Sequence, residues 1–157
     1  MSKKFELTTE SIIHFGGTLF RIKALVAFGD VEAGELGGYI EKEDNLDQSG
    51  DAWVFGDAWV YGNAWVSGNA WVSGDARVSK PAHLFQVGCI GSRNGFTTFF
   101  RVKTRRIHVA CGCFLGDIDE FEKRVAEVHA GTKHEKTYKL AIELAKAQIE
   151  DVEGENE

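Results

Sequence analysis

Cysteine is scarce in this chain of 157 residues, long apolar runs are absent, and one stretch holds no negative charge at all. Cys89, Cys111 and Cys113 are odd in number and crowded into one third of the sequence, which excludes a disulfide framework and makes reduced thiols the expectation. No run is long and apolar enough to span a bilayer, so a membrane partner is not expected. The opening MSKKFELTTE lacks the apolar core and small-residue cleavage site of a secretory signal, and a cytoplasmic protein is therefore expected. From Ala76 to Gly116 there are seven Lys or Arg and neither Asp nor Glu; this stretch carries +7 in a chain of net charge -6, leaving -13 elsewhere. An anionic partner would prefer that stretch, although basic strands also pair readily with acidic segments on either side.

What is present in quantity is a six-residue period. The centre reads GDAWVF, GDAWVY, GNAWVS, GNAWVS, GDARVS, KPAHLF, QVGCIG, with Ala third and Val fifth in the first five units. A unit this short cannot bury its own apolar face, so each must stack on the unit one full turn away, eighteen positions on if three hexads make a coil. Ala52, Val54, Ala58, Val60, Ala64, Val66, Ala70, Val72, Ala76 and Val78 then point inward, and the Gly with Asp or Asn form the corners. The same register sends Trp53, Trp59, Trp65 and Trp71 outward with Phe55 and Tyr61, placing Trp53 over Trp71, Trp59 beside Arg77 and Trp65 beside His83. Exposed aromatics in such number mark an interface with further copies or with a partner. The pattern resembles the hexapeptide-repeat, left-handed β-helix superfamily; the resemblance implies a short three-sided parallel β-helix, capped at both ends, that trimerises side by side.

The flanks follow other periods. FELTTESIIHFGGTLFRIKALVAFGDV alternates around Gly16 and Gly17 as a hairpin would, and Leu36, Ile40 and Leu46 look like degenerate coils, so residues 1–49 form an N-terminal β cap to a solenoid over 50–91. Leu84 to Ile90, Phe96 to Val102 and Arg106 to Phe114 read as antiparallel strands turning at GSRNG and at Lys103-Thr104-Arg105. Asp117 or Asp119 caps a helix to about Ala130, apolar at Ile118, Phe121, Val125 and Val128. Thr132 caps another from about His134 to Val152, apolar at Tyr138, Ala141, Leu144 and Ile149. The expected fold is mainly β, with an antiparallel β plus two-helix module over 92–152 and an acidic tail over 153–157.

Three patterns bear on chemistry. The acyltransferases of the resembled superfamily use a histidine as general base and acetyl-CoA or acyl carrier protein as donor, and His83 is the one histidine within the repeat; against this, the coils are few and uninterrupted by an acceptor loop. His108, Cys111 and Cys113, with Cys89, are residue types that suit zinc, but strand alternation puts 108 on the opposite face from 111 and 113, so no metal is expected and no cofactor. In GSRNGFTTFFRVKTRR, residues 91–106, the turn and Ser92 can hold a phosphate. Arg93, Arg101, Lys103, Arg105 and Arg106 supply charge, and Phe96, Phe99 and Phe100 can stack on a base. Strand register places Arg101, Lys103 and Arg105 on one face and Phe96, Phe100 and Val102 on the other. A solvated basic sheet face would have the same pattern. Long nucleic acid is disfavoured by the overall acidity.

The chain also resembles a group of small phage and prophage proteins in which a leader like LFRIKAL…GDVEAGELGGYIE precedes GDAWV repeats and IGSRNGFTTFFR…CGCFLGDIDEFEKRVAEVH follows, covering most of residues 18 to 150. That resemblance implies counter-defence: a small oligomer that sequesters a nucleotide signal or blocks a host immune protein. If the C-terminal module binds a ligand, the candidate residues are Ser92, Arg93, Thr97, Arg101 and, from the first helix, His129, and the expected function is non-enzymatic binding by a homo-oligomer.

Overall fold

The computed structural model describes residues 3–14, 16–112 and 114–149; Cys113 and the expected tail over 153–157 lie outside the described residues. The protein is mainly β with two helices at its C-terminal end, and it divides into two compact units, residues 1–81 and 82–157.

The first unit begins with a hairpin, β1 (Phe5–His14) and β2 (Gly17–Ala24), as the alternation around Gly16 requires. Strand β3 (Leu36–Ile40) pairs antiparallel with β2, and from there the pairing turns parallel. The hexads contribute rungs of two residues: β4 (Trp53–Val54), β5 (Trp59–Val60), β6 (Trp71–Val72) and β7 (Arg77–Val78). Three stacks result, in which Val54 lies on Val72, Val60 lies between Ile40 and Val78, and Val66 bridges Leu46. All ten Ala and Val positions expected inside are buried, none more than 2% exposed. The corners explain the glycines: at Gly62, φ is 60° and a β-carbon would fall 2.6 Å from the Ser79 carbonyl oxygen.

Ile40 and Leu46 do enter the ladder as degenerate rungs, but Leu36 is 52% exposed. Their register differs from the regular coils: Trp53 pairs with Trp71, eighteen residues on, whereas Ile40 pairs with Val60 and Leu46 with Val66, twenty residues on. The two extra residues sit in the corner before Gly50, and they are put to use. Gln48 Oε1 accepts from the backbone N–H groups of Lys4 (2.7 Å) and Phe5 (3.3 Å), which anchors β1.

The parallel ladder ends at Val78. KPAHLF and QVGCIG lack the Gly-Asp corner, and Pro81 has no N–H to donate to a rung. Residues 81–83 form a turn of 3₁₀ helix, and β8 (Leu84–Ile90) pairs antiparallel with β9 (Gly95–Arg101) in the second unit. The sheet continues through β10 (Ile107–Cys111) to β11 (Phe114–Asp117), in the order β11-β10-β9-β8. The single strand expected over 106–114 is thus two strands.

Two helices pack on this sheet. Asp117 caps α1 (Ile118–Val128) by accepting from the Asp119 N–H at 2.7 Å. Thr132 precedes α2 (Lys133–Gln148), although its hydroxyl donates to the His129 carbonyl instead of capping the helix. The core joins Phe99, Ile107 and Val109 to Ile118, Phe121 and Val125 and to Tyr138, Ala141, Ile142, Ala145 and Ile149. Each large member contributes about 1.5–3 kcal/mol by leaving water. Val128 and Leu144, expected in the apolar stripes, are 61% and 50% exposed, because the stripes that pack are centred on Val125 and on Ala141 and Ala145.

Candidate functional site

The outward aromatics of the repeat divide into covered and bare. Trp53 is not exposed: it is fully buried, with Phe5 and Phe28 packed edge-on at 6.3 and 5.2 Å. The expected cation–π pair exists, the Arg77 guanidinium lying 3.9 Å above the Trp59 ring. His14 packs edge-on against Trp59 and Tyr61, both at 4.9 Å, and Phe55 lies 5.2 Å from Trp71. Trp65 alone of the four tryptophans is exposed, at 58%. His83, expected to point outward, is 2% exposed because the chain has left the ladder before reaching it.

The basic segment also differs from its expected two-faced strand. Residues 97–100 are buried on both faces of β9, so Thr97, at 1% exposure, is not open to a ligand; its hydroxyl donates to Cys111 Sγ at 3.3 Å. Phe96 is 39% exposed and lies over Gly88, where a β-carbon would collide with it. β9 ends at Arg101, which is half-buried, and Lys103 and Arg105 fall in the following turn, Arg105 with φ of 64°. They do not share a strand face with Arg101. Arg106 is engaged, its Nε donating to Asp117 at 3.2 Å and its Nη2 lying 3.7 Å from Asp119.

What the second unit does bring together is the turn at 91–94 and the corner between the helices. The Asn94 N–H donates to the Gly91 carbonyl at 3.1 Å, closing a turn that leaves Ser92 and Arg93 exposed. Gly91 has φ of 84°, and a β-carbon on it would collide with the Tyr138 hydroxyl. The Tyr138 ring stacks on His129 with centroids 5.5 Å apart and planes 29° apart, and His129 meets the ring of His134 at 5.6 Å. A row therefore runs from the turn through Tyr138 to two imidazoles. Its far end is fixed by local bonds: Thr132 Oγ1 donates to the His129 carbonyl at 2.7 Å, and the Gly131 N–H donates to Glu135 at 3.0 Å. That backbone bond and nearby Lys139 hold the Glu135 carboxyl below its ordinary value. Burial, reinforced by Cys111, pushes the Tyr138 phenol up to about 12, so it stays protonated at working pH.

Gly91, which precedes Ser92 and Arg93 in the turn, and His129 thus both meet Tyr138. His134 and Tyr138 join this row without a sequence motif of their own; the one local signal is that both imidazoles flank the Gly131-Thr132 helix boundary. Of the residues with zinc-binding side chains, His108 lies by Phe100 at 6.5 Å, Cys111 faces Tyr138 and Cys89 is exposed on β8, while Cys113 lies outside the described residues. Among the described residues no group of three metal-ligating side chains occurs, and no helix is long and apolar enough to cross a membrane. No protein-family model matches the chain, and a search of curated proteins finds no significant match.

Proposed function

We propose that the protein is a non-enzymatic, homo-oligomeric binding protein that captures a phosphorylated small molecule, of the nucleotide class, at the corner formed by Ser92, Arg93 and His129. The observation that carries this is the row of contacts from Gly91, next to the exposed Ser92 and Arg93, to Tyr138 and from its ring to His129 and His134. Arg93 is exposed and makes no hydrogen bond or ion pair with another described residue, which leaves its guanidinium available for bidentate contact with phosphate. The stacked coils act in this reading as a short left-handed β-helix that joins copies into a trimer. The resemblance to phage and prophage proteins makes the ligand a host defence signal and the compartment the host cytoplasm.

A second reading is favoured by Trp65. At 58% exposure it is an anchor for a protein partner, and the protein would then block a host defence enzyme. The acyltransferase alternative gains no support, since a general base must reach the acceptor's proton and His83 is buried. Thermal shift of the full chain against mono-, di-, cyclic and NAD-derived nucleotides tests the leading reading. A true ligand at a hundred times its dissociation constant adds about 2.7 kcal/mol, and Arg93→Ala abolishes the gain. Absence of stabilisation by every nucleotide overturns it.

A further inference from the structure

Strand β1 is the outer strand of the first unit's sheet, which runs β1-β2-β3-β5-β7, so one of its backbone edges has no strand beside it among the described residues. His14 pairs with Gly17, and a pair closing so short a connection is hydrogen-bonded. The antiparallel alternation then bonds Ile12 to Leu19 and turns the N–H and C=O groups of Ser11 and Ile13 away from β2. The irregularity between Leu7 and Ser11 leaves residues 11–14 in regular register. Ser11 is exposed, and Ile13, at 82%, is the most exposed large apolar side chain among the described residues. A bare edge of this kind is a template for another strand unless Lys or Pro guards it, and β1 holds neither.

The groups along this edge are complementary to themselves. Glu10 is held by Arg21 and Tyr39, His14 packs on Trp59, and Tyr39 and Trp59 are paired neighbours, so Glu10 and His14 lie on one face. Both bonds to Glu10 go to Oε2; its Oε1 has no partner among the described residues. A second β1 laid antiparallel about Ile12 puts Ser11 opposite Ile13 twice. It also sets each Glu10 opposite the other copy's His14, with β-carbons about 5 Å apart, where an imidazole N–H can donate to Oε1. On the other face the two Ile13 side chains become diagonal neighbours and cover each other. Centring the pair on Glu10 instead would set two carboxylates face to face.

We propose that residues 11–13 of β1 bind the same residues of a second copy, antiparallel about a twofold axis at Ile12, joining two sheets edge to edge. The contact is separate from the coil-to-coil assembly and from the ligand corner, and rests on neither.

Sedimentation velocity of the full chain over a range of concentrations, with amide hydrogen exchange at both ends of the range, tests it. On association the Ser11 and Ile13 amides are expected to slow about tenfold or more, while the Ile12 amide, already bonded to β2, changes little. Ile13→Lys puts a charge on the edge at an exposed position, so it is expected to melt as the parent does and to abolish both the slowing and the paired species. As an independent readout in a Cys89→Ser background, Ile12→Cys is expected to oxidise to a disulfide-linked dimer and Glu6→Cys is not. A monomer at every concentration, or association that leaves the Ser11 and Ile13 amides exchanging freely, overturns the proposal. Association dispersed by Trp65→Asp and untouched by Ile13→Lys also overturns it and leaves the coil-to-coil assembly standing. Protection of these amides only when a foreign extended peptide is added assigns the edge to a different chain and overturns it likewise.

Discussion

Asn45 shows how a polar side chain survives complete burial in the ladder. Its Oδ1 accepts from the N–H groups of Glu41 and Lys42 at 3.1 and 3.0 Å, and its Nδ2 donates to the carbonyls of Gly62 and Ala64 at 3.3 and 2.8 Å. Asn45→Ala orphans these buried backbone groups and is expected to cost about 3 kcal/mol in urea unfolding. Glu10 offers a contrasting surface case. Hydrogen bonds from Arg21 and Tyr39, at 2.9 and 3.1 Å, hold its carboxyl below the ordinary 4.5. A depressed carboxylate contributes stability that is complete above pH 4.5 and is lost as pH falls through its lower folded value. The melting-temperature gap between parent and Glu10→Gln should therefore be constant above about pH 5 and close in more acid solution. At this scale the sequence was readable for inward Ala and Val, whose environment is local and repeated. It was opaque for Trp53 and Thr97, whose covers come from residues distant in sequence, Phe5 and Phe28 in one case and Cys111 in the other.

Elements whose signals are local came out as expected: the hairpin around Gly16, the Asp117-capped helix, the strand over Leu84–Ile90. Where an element depended on its neighbours the reading failed. The ladder ends at Val78 because the last two hexads lack the Gly-Asp corner and carry Pro81, and their residues from Leu84 to Ile90 pair with β9 instead. The turn at 91–94 is the element on which the candidate site depends. Gly91→Ala places a side chain at φ of 84° against Tyr138 and is expected to cost roughly 1–3 kcal/mol by thermal unfolding. Its effect on ligand binding should exceed that of Asp117→Ala, which removes the α1 cap for about 1 kcal/mol but lies outside the row. Equal effects on binding would mean that the turn does not form the site.

On the scale of the whole molecule, charge and exposure separate two roles. Of four tryptophans Trp65 is the most exposed, with Trp59 and Trp71 half-buried and Trp53 buried, so iodide quenching of a monomeric sample should fall by the larger part in Trp65→Phe. If that face joins copies, Trp65→Asp converts the assembly to monomer in light scattering while the circular dichroism spectrum is retained. The proposed ligand capture belongs to the second unit, at the 91–94 turn and the helix corner. The most direct measurement is the amide chemical-shift map of the full chain titrated with the nucleotide that stabilises it most. Shifts confined to residues 91–95 and 129–138, with the rungs between 53 and 78 unmoved, are the predicted result. Shifts centred on the rungs or on Trp65, with the turn silent, would contradict it.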